Sequence, residues 1–106
     1  MVSVAQFDVF PNPSERTRKS RPFFVVLQSD QLRQLDTRIV APLVAPAKIR
    51  HFEHLMPEVS VRSRAYVILV QELGAFPVRL APRVVANLES ERDRIISALD
   101  LLFTGI

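Results

Sequence analysis

Seven of the nine residues from 95 to 103 are apolar, and the run stops in Thr104-Gly105-Ile106. Chain ends fray unless something ties them down. A terminal helix this apolar must therefore pack against its own core, a second copy of the chain, or a target. Projected at about 100° per residue, Leu88, Ile95, Ile96, Ala98, Leu99, Leu102 and Phe103 cover an arc of about 160°. A surface helix needs a stripe of about 100° or a little more, and Leu101 lies outside even the wider arc. The sequence predicts a helix sunk deep in its domain, or one whose end meets a partner. Asn87 suits its N-cap, and Glu89, Glu91 and Asp93 suit the positive end of its dipole. Gly105 stands where a left-handed C′ residue belongs, with Ile106 as its apolar neighbour.

Ahead of the helix the pattern is β-like. Gln6-Phe7-Asp8-Val9-Phe10 alternates with period two, as a half-buried strand does, and Pro11 and Pro13 end it. Phe23-Phe24-Val25-Val26-Leu27 is continuously apolar, as expected of a strand covered on both faces. Residues 38–44 form a second apolar strand, and Pro42 within it implies an edge position or a bulge. Residues 46–56 read as one short helix before Pro57. Residues 58–61, a turn at Arg62-Ser63, and residues 66–70 read as a hairpin. Residues 73–77 read as a connector and 78–80 as a last short strand. Strands followed by one long helix make an α+β domain. At 106 residues the chain is one domain, 1–106, with 1–5 a loosely held lead; it can bury about two-thirds of the surface its unfolded chain exposes.

Cysteine is absent, so neither disulfides nor thiolate metal sites enter, and a reducing cytoplasm is the expected setting. The chain lacks a signal-peptide pattern and any apolar run of about 20 residues, so no membrane role is expected. Its net charge is +3, and twelve of the fourteen basic residues are arginine, a balance that favours an acidic partner. Arg16, Arg18, Lys19 and Arg21 concentrate four of those charges in six residues.

Catalytic signatures are thin. No glycine-rich phosphate loop is possible with Gly74 and Gly105 as the only glycines. Ser29, Ser63 and the histidines show no triad spacing. His51-Phe52-Glu53-His54 carries two imidazoles one helical turn apart but no third ligand in the spacing zinc requires. No metal or cofactor is expected. Arg92 falls inside the apolar arc and is expected to snorkel at the core rim. Arg16 with Glu15, or Arg62 with Glu58, could serve ribonuclease chemistry if held within hydrogen-bond reach, but neither has a distinguishing signature.

An ordered set of segments points further: Phe24-Val25-Val26-Leu27-Gln28-Ser29-Asp30, then Thr37-Arg38-Ile39-Val40-Ala41-Pro42-Leu43, then Phe76-Pro77-Val78, then the helix from 96 to Gly105-Ile106. Together they resemble CcdB, the toxin of the ccd toxin–antitoxin systems, over nearly all of the chain after Ala5. The resemblance implies an SH3-like small antiparallel β-barrel of the CcdB/MazF-like kind with a long C-terminal α-helix. It also implies a homodimer that catalyses nothing. Such toxins bind the DNA gyrase A subunit and trap gyrase on cleaved DNA. A CcdA-like antitoxin neutralises them, and the pair represses its own operon, with operator DNA contacted only through the antitoxin.

By the same resemblance, the gyrase-binding residues are Thr104, Gly105, Ile106, Ser29 and Asp100. The family tip is Trp-Gly-Ile, and Thr104 stands where the tryptophan would be; a threonine cannot stack on a guanidinium. Asp100 replaces an amide. The dimer contact falls on Leu101, Leu102 and Phe103. For the antitoxin, Arg16, Arg18 and Lys19, with Leu32 as an apolar anchor, are expected to receive an acidic disordered segment. Two alternatives stand beside this reading: a MazF-like endoribonuclease, and a decayed relative that binds an antitoxin without poisoning.

Overall fold

The apolar run at 23–27 is buried from both sides, and the molecule is arranged around it. The computed structural model describes residues 4–48 and 52–105. Its strands are β1 (Asp8–Pro11), β2 (Phe23–Val26), β3 (Thr37–Val44), β4 (Glu58–Val61), β5 (Arg64–Ile68), β6 (Gly74–Pro77) and β7 (Ala86–Asn87), followed by the helix α1 (Arg92–Thr104). They form an antiparallel sheet in the order β4-β5-β3-β2-β1-β7, with β6 beside β3. The sheet curls into a nearly closed barrel with the helix packed on it, the expected α+β small barrel.

Alternation along β1 and β2 sends side chains to two cores. Val9, Val25 and Leu27 pack with Phe7, Leu43, Ile68, Ile95 and Ala98 beneath α1. Phe10, Val26 and Val40 face the other way, where Phe10, Phe24 and Phe76 meet at ring-centroid distances of 5.1–5.8 Å. Val4 is buried in this second core, and the Ala5 N–H donates to Asp8 Oδ2 at 2.8 Å. The described end of the lead is therefore held in place, and residues 1–3 lie outside the described residues. Phe7 takes a φ of 68°, a conformation that costs an L-residue about 1–2 kcal/mol. It is fixed there by an N–H bond to Val26 O and by accepting from Leu88 N–H, at 2.7 and 2.8 Å.

Pro42 lies neither at an edge nor in a bulge. β3 is central, pairing with β2 on one side and with β6 and β5 in turn on the other. On that second side β6 covers 37–40 and β5 covers 43–44, so proline's missing donor falls where the partner strand changes. The Pro42 carbonyl still accepts from Leu69 N–H at 2.9 Å.

The connector and the last strand exchange places. Residues 74–77 form β6, because β3 outruns β5 and leaves ladder groups that β6 fills. Val78–Leu80 is a 3₁₀ turn closed by Ala81 N–H on Val78 O. The expected helix at 46–56 is represented by a 3₁₀ turn at Pro46–Lys48 and a single turn in which Phe52 O accepts from Leu55 and Met56 N–H; residues 49–51 lie outside the described residues. The hairpin forms as expected, with Arg62 and Ser63 at φ of 54° and 66°, the geometry of a tight primed turn. Asn87 does not cap α1, whose N-cap position falls on Glu91. Asn87 Oδ1 accepts from Glu89 N–H at 2.8 Å, a 3₁₀ turn at Glu89–Glu91 follows, and α1 proper starts at Arg92.

Candidate functional site

The helix α1 is sunk in its domain for only part of its length. Ile95 and Ala98 are fully buried, and Ile96 and Leu99 pack beside them. Leu101 and Leu102 are half-buried, and Phe103 is 69% exposed. The apolar surplus therefore gathers at the helix end as uncovered surface. Arg92 behaves as expected at the other end, its guanidinium carbon 5.7 Å from the centre of the Phe7 ring.

The helix closes firmly. Gly105 adopts a φ of +75°, and its N–H donates to Leu101 O at 3.0 Å. An added Cβ would meet nothing within 4 Å, so glycine is needed here for its backbone conformation and not for space. Thr104 Oγ1 donates to the Asp100 carbonyl at 2.6 Å, which folds the hydroxyl back onto the helix. Asp100, Phe103, Thr104 and Gly105 thus form one exposed, ordered tip; Ile106 lies outside the described residues. Ser29 belongs to another element, where its Oγ accepts from Gln31 N–H at 3.1 Å and caps the 3₁₀ turn Asp30–Leu32.

The basic turn before β2 is built around one buried amide. Asn12 is 3% exposed. Its Nδ2 donates to Thr17 Oγ1 and Arg21 O at 2.9 and 2.8 Å, and its Oδ1 accepts from Ser14 N–H at 2.9 Å. Arg21 leaves the charge cluster by donating through Nε and Nη2 to both Glu72 oxygens, at 2.9 and 2.8 Å. That hydrogen bond raises the arginine above its ordinary value against the opposing effect of burial. Arg16, Arg18 and Lys19 remain exposed, with Arg18 3.8 Å from Glu15. The basic turn precedes β2, and Leu32, also exposed, lies in the 3₁₀ turn that follows it.

Between the 52–54 turn and α1 lies a groove of about 620 Å³ lined by Glu53, His54, Asp93, Arg94, Ser97 and Leu101. Arg94 spans it, donating to Glu91 Oε1 at 2.7 Å and to Glu53 Oε1 at 2.8 Å. The Glu91 bond contributes most to raising Arg94, with burial opposing it. His51 lies outside the described residues. The pairs considered for ribonuclease chemistry are not assembled. Glu15 faces Arg18, and Glu58 starts the strand whose far end leads to Arg62, a span of about 13 Å along the backbone.

Sequence reasoning missed Leu35 and Leu80 as exposed apolar residues, Glu72 as the partner of Arg21, and Arg38 as a buried cation. A charge inside an otherwise apolar strand was the one available signal for Arg38.

Residues 6–105 match the family described as CcdB protein. The chain belongs to the CcdB family. No curated protein matches it. Membership spans the whole barrel and helix, and it makes the chain a toxin of the ccd toxin–antitoxin kind rather than a catalyst. Among the described residues no helix is long and apolar enough to cross a membrane.

Proposed function

We propose that this CcdB-family protein is a gyrase poison. In this reading it is a cytoplasmic homodimer whose paired helix ends bind the DNA gyrase A subunit and trap the enzyme on cleaved DNA. A CcdA-like antitoxin neutralises it and, with it, represses their operon. The observation that supports the reading is the tip itself: an apolar helix end, rigidly capped by Gly105, with Phe103 69% exposed. A tip that served only its own core would have no reason to leave that ring uncovered.

The contact residues proposed are Asp100, Thr104, Gly105 and Ile106, with Ser29 from the turn after β2; Leu101, Leu102 and Phe103 supply the self-contact. Thr104 cannot stack on a cation as a tryptophan does, and two such contacts contribute about 0.5–2 kcal/mol each. Target affinity is therefore expected to lie about one to three decades below that of a tryptophan-tipped relative. Arg16, Arg18 and Lys19 are proposed as the antitoxin-facing cations, with Leu32 as the apolar anchor.

The test is to incubate the protein with gyrase, ATP and supercoiled plasmid, denature the enzyme, and look for linear DNA. Linear plasmid above the gyrase-only control is the expected result. Its absence with gyrase from the source organism overturns the reading.

A further inference from the structure

The β4–β5 hairpin outruns the rest of the sheet. Its neighbour β3 pairs with β5 only at Leu43↔Ile68 and Val44↔Val67. The pairs Val59↔Tyr66, Ser60↔Ala65 and Val61↔Arg64 continue past that point as a two-stranded ribbon, about 10 Å long at about 3.3 Å per residue. β4 begins the strand order and pairs with β5 alone.

One face of the ribbon is anchored. Val59 and Val61 are 4% and 1% exposed and belong to the core beneath α1. The Tyr66 ring stands edge-on to Phe23, with centroids 5.3 Å apart. The Arg62-Ser63 turn closes the end with both residues in the left-handed region. The ribbon is therefore fixed before any ligand arrives, which lowers the entropy lost on binding.

The rest of the ribbon carries small and cationic groups. Ser60, Arg62, Ser63, Arg64 and Ala65 are all exposed. Neither arginine has a hydrogen bond or ion pair with another described residue, unlike Arg21 and Arg94. Residues 59–66 contain no carboxylate, and Glu58 lies at the other end of β4. Two full charges and two hydroxyls thus share one tip, and these are the side chains that meet a phosphate chain.

The surroundings select among polyanions. No large apolar side chain of 58–66 is exposed, so a protein partner would find no apolar centre for an interface. No aromatic ring is free for the bases of a single strand to stack on, because Tyr66 is engaged with Phe23. A second copy of the chain would bring the same two arginines and be repelled. Duplex DNA offers one negative charge per about 1.7 Å of its axis and requires neither apolar burial nor stacking.

We propose that the tip of the β4–β5 hairpin binds the phosphate backbone of duplex DNA, through Arg62 and Arg64 with the hydroxyls of Ser60 and Ser63. The contact reads no sequence. It is separate from the helix tip and from the basic turn at 14–21. It belongs to the toxin itself, whereas the family resemblance gives operator DNA to the antitoxin.

The test is to titrate a fluorescein-labelled, mixed-sequence DNA duplex with the full-length protein and follow anisotropy over a salt series, with no gyrase or antitoxin present. Log affinity should fall against log salt with a slope of about −2 for each protomer in contact, about one unit per arginine. Arg62→Asn/Arg64→Gln removes both charges, and asparagine still suits the left-handed turn. It should lose tenfold or more in affinity at low salt and most of the slope, with the melting transition retained. Arg64→Gln alone leaves the turn residues untouched and should remove about one unit of slope. Arg33→Gln/Arg79→Gln takes the same charge from the opposite end of the barrel, beyond the Thr37–Pro77 pair, and should leave affinity nearly unchanged. No binding to the duplex, an unchanged slope in both hairpin variants, equal losses in the two double variants, or tighter binding of a single strand of the same sequence overturns the proposal. The assay contains no gyrase, so its outcome is independent of the gyrase reading.

Discussion

The exposed ring of Phe103 makes a quantitative demand on the proposed dimer. A phenylalanine presents about 200 Å² to a partner. With 69% of the residue uncovered, roughly 140 Å² is available, worth about 3.5 kcal/mol at about 25 cal/mol per Å². A two-fold contact counts each ring once per protomer, so the upper limit is about 7 kcal/mol. Association realises only part of such an area; half of it still corresponds to between two and three decades in the dimer dissociation constant. Phe103→Ser should therefore raise that constant at least a hundredfold, measured by analytical ultracentrifugation across a dilution series. The monomer should be almost untouched, because surface substitutions stay within about 0.5 kcal/mol. Urea unfolding at concentrations below dimerisation checks this. A dimer constant unchanged in the variant would refute the reasoning and assign Phe103 to the target face alone. A large loss of monomer stability would show that the ring is not as uncovered as its exposure indicates.

Two further substitutions probe the parts that present the surfaces. Asn12→Ala removes three side-chain hydrogen bonds from a residue 3% exposed and should cost about 2–3 kcal/mol in urea unfolding, with faster amide exchange through 14–21; a loss under about 0.5 kcal/mol would show that the turn is held by other means. Gly105→Ala meets no steric obstacle but must hold a φ of +75°, at a cost of about 1 kcal/mol. Because the strain sits in the C-cap of α1, held by the single bond from Gly105 N–H to Leu101 O, the cap should open instead of the barrel unfolding. Global stability should change by less than that figure while the yield of linear plasmid falls, and an unchanged yield would remove the cap from the target tip.

Local physics carried the sequence reading a long way. The unbroken run at 23–27 announced a strand covered on both faces, and its alternate side chains do enter two different cores. The Arg62-Ser63 turn, the Gly105 cap and the rim position of Arg92 were legible for the same reason: each is decided within a few residues of chain. The apolar excess of the last helix was legible as an excess, though not where along the helix it would remain uncovered.

What the sequence left open depends on neighbours distant in the chain. Pro42 spoke for an edge because a proline lacks a donor. Only the tertiary structure shows that the missing donor faces the gap where β6 gives way to β5. Residues 74–77 carry loop-like glycine and proline and become a strand because β3 has ladder groups left to satisfy. Arg21 counted as a free charge until Glu72, fifty-one residues away, claimed it. Periodicity, capping and composition are properties of the chain alone, so the sequence determined the long apolar strands, the hairpin turn, the terminal helix and the family. Pairing partners and the company each exposed side chain keeps are settled by long-range closure of the barrel, and that belongs to the tertiary structure.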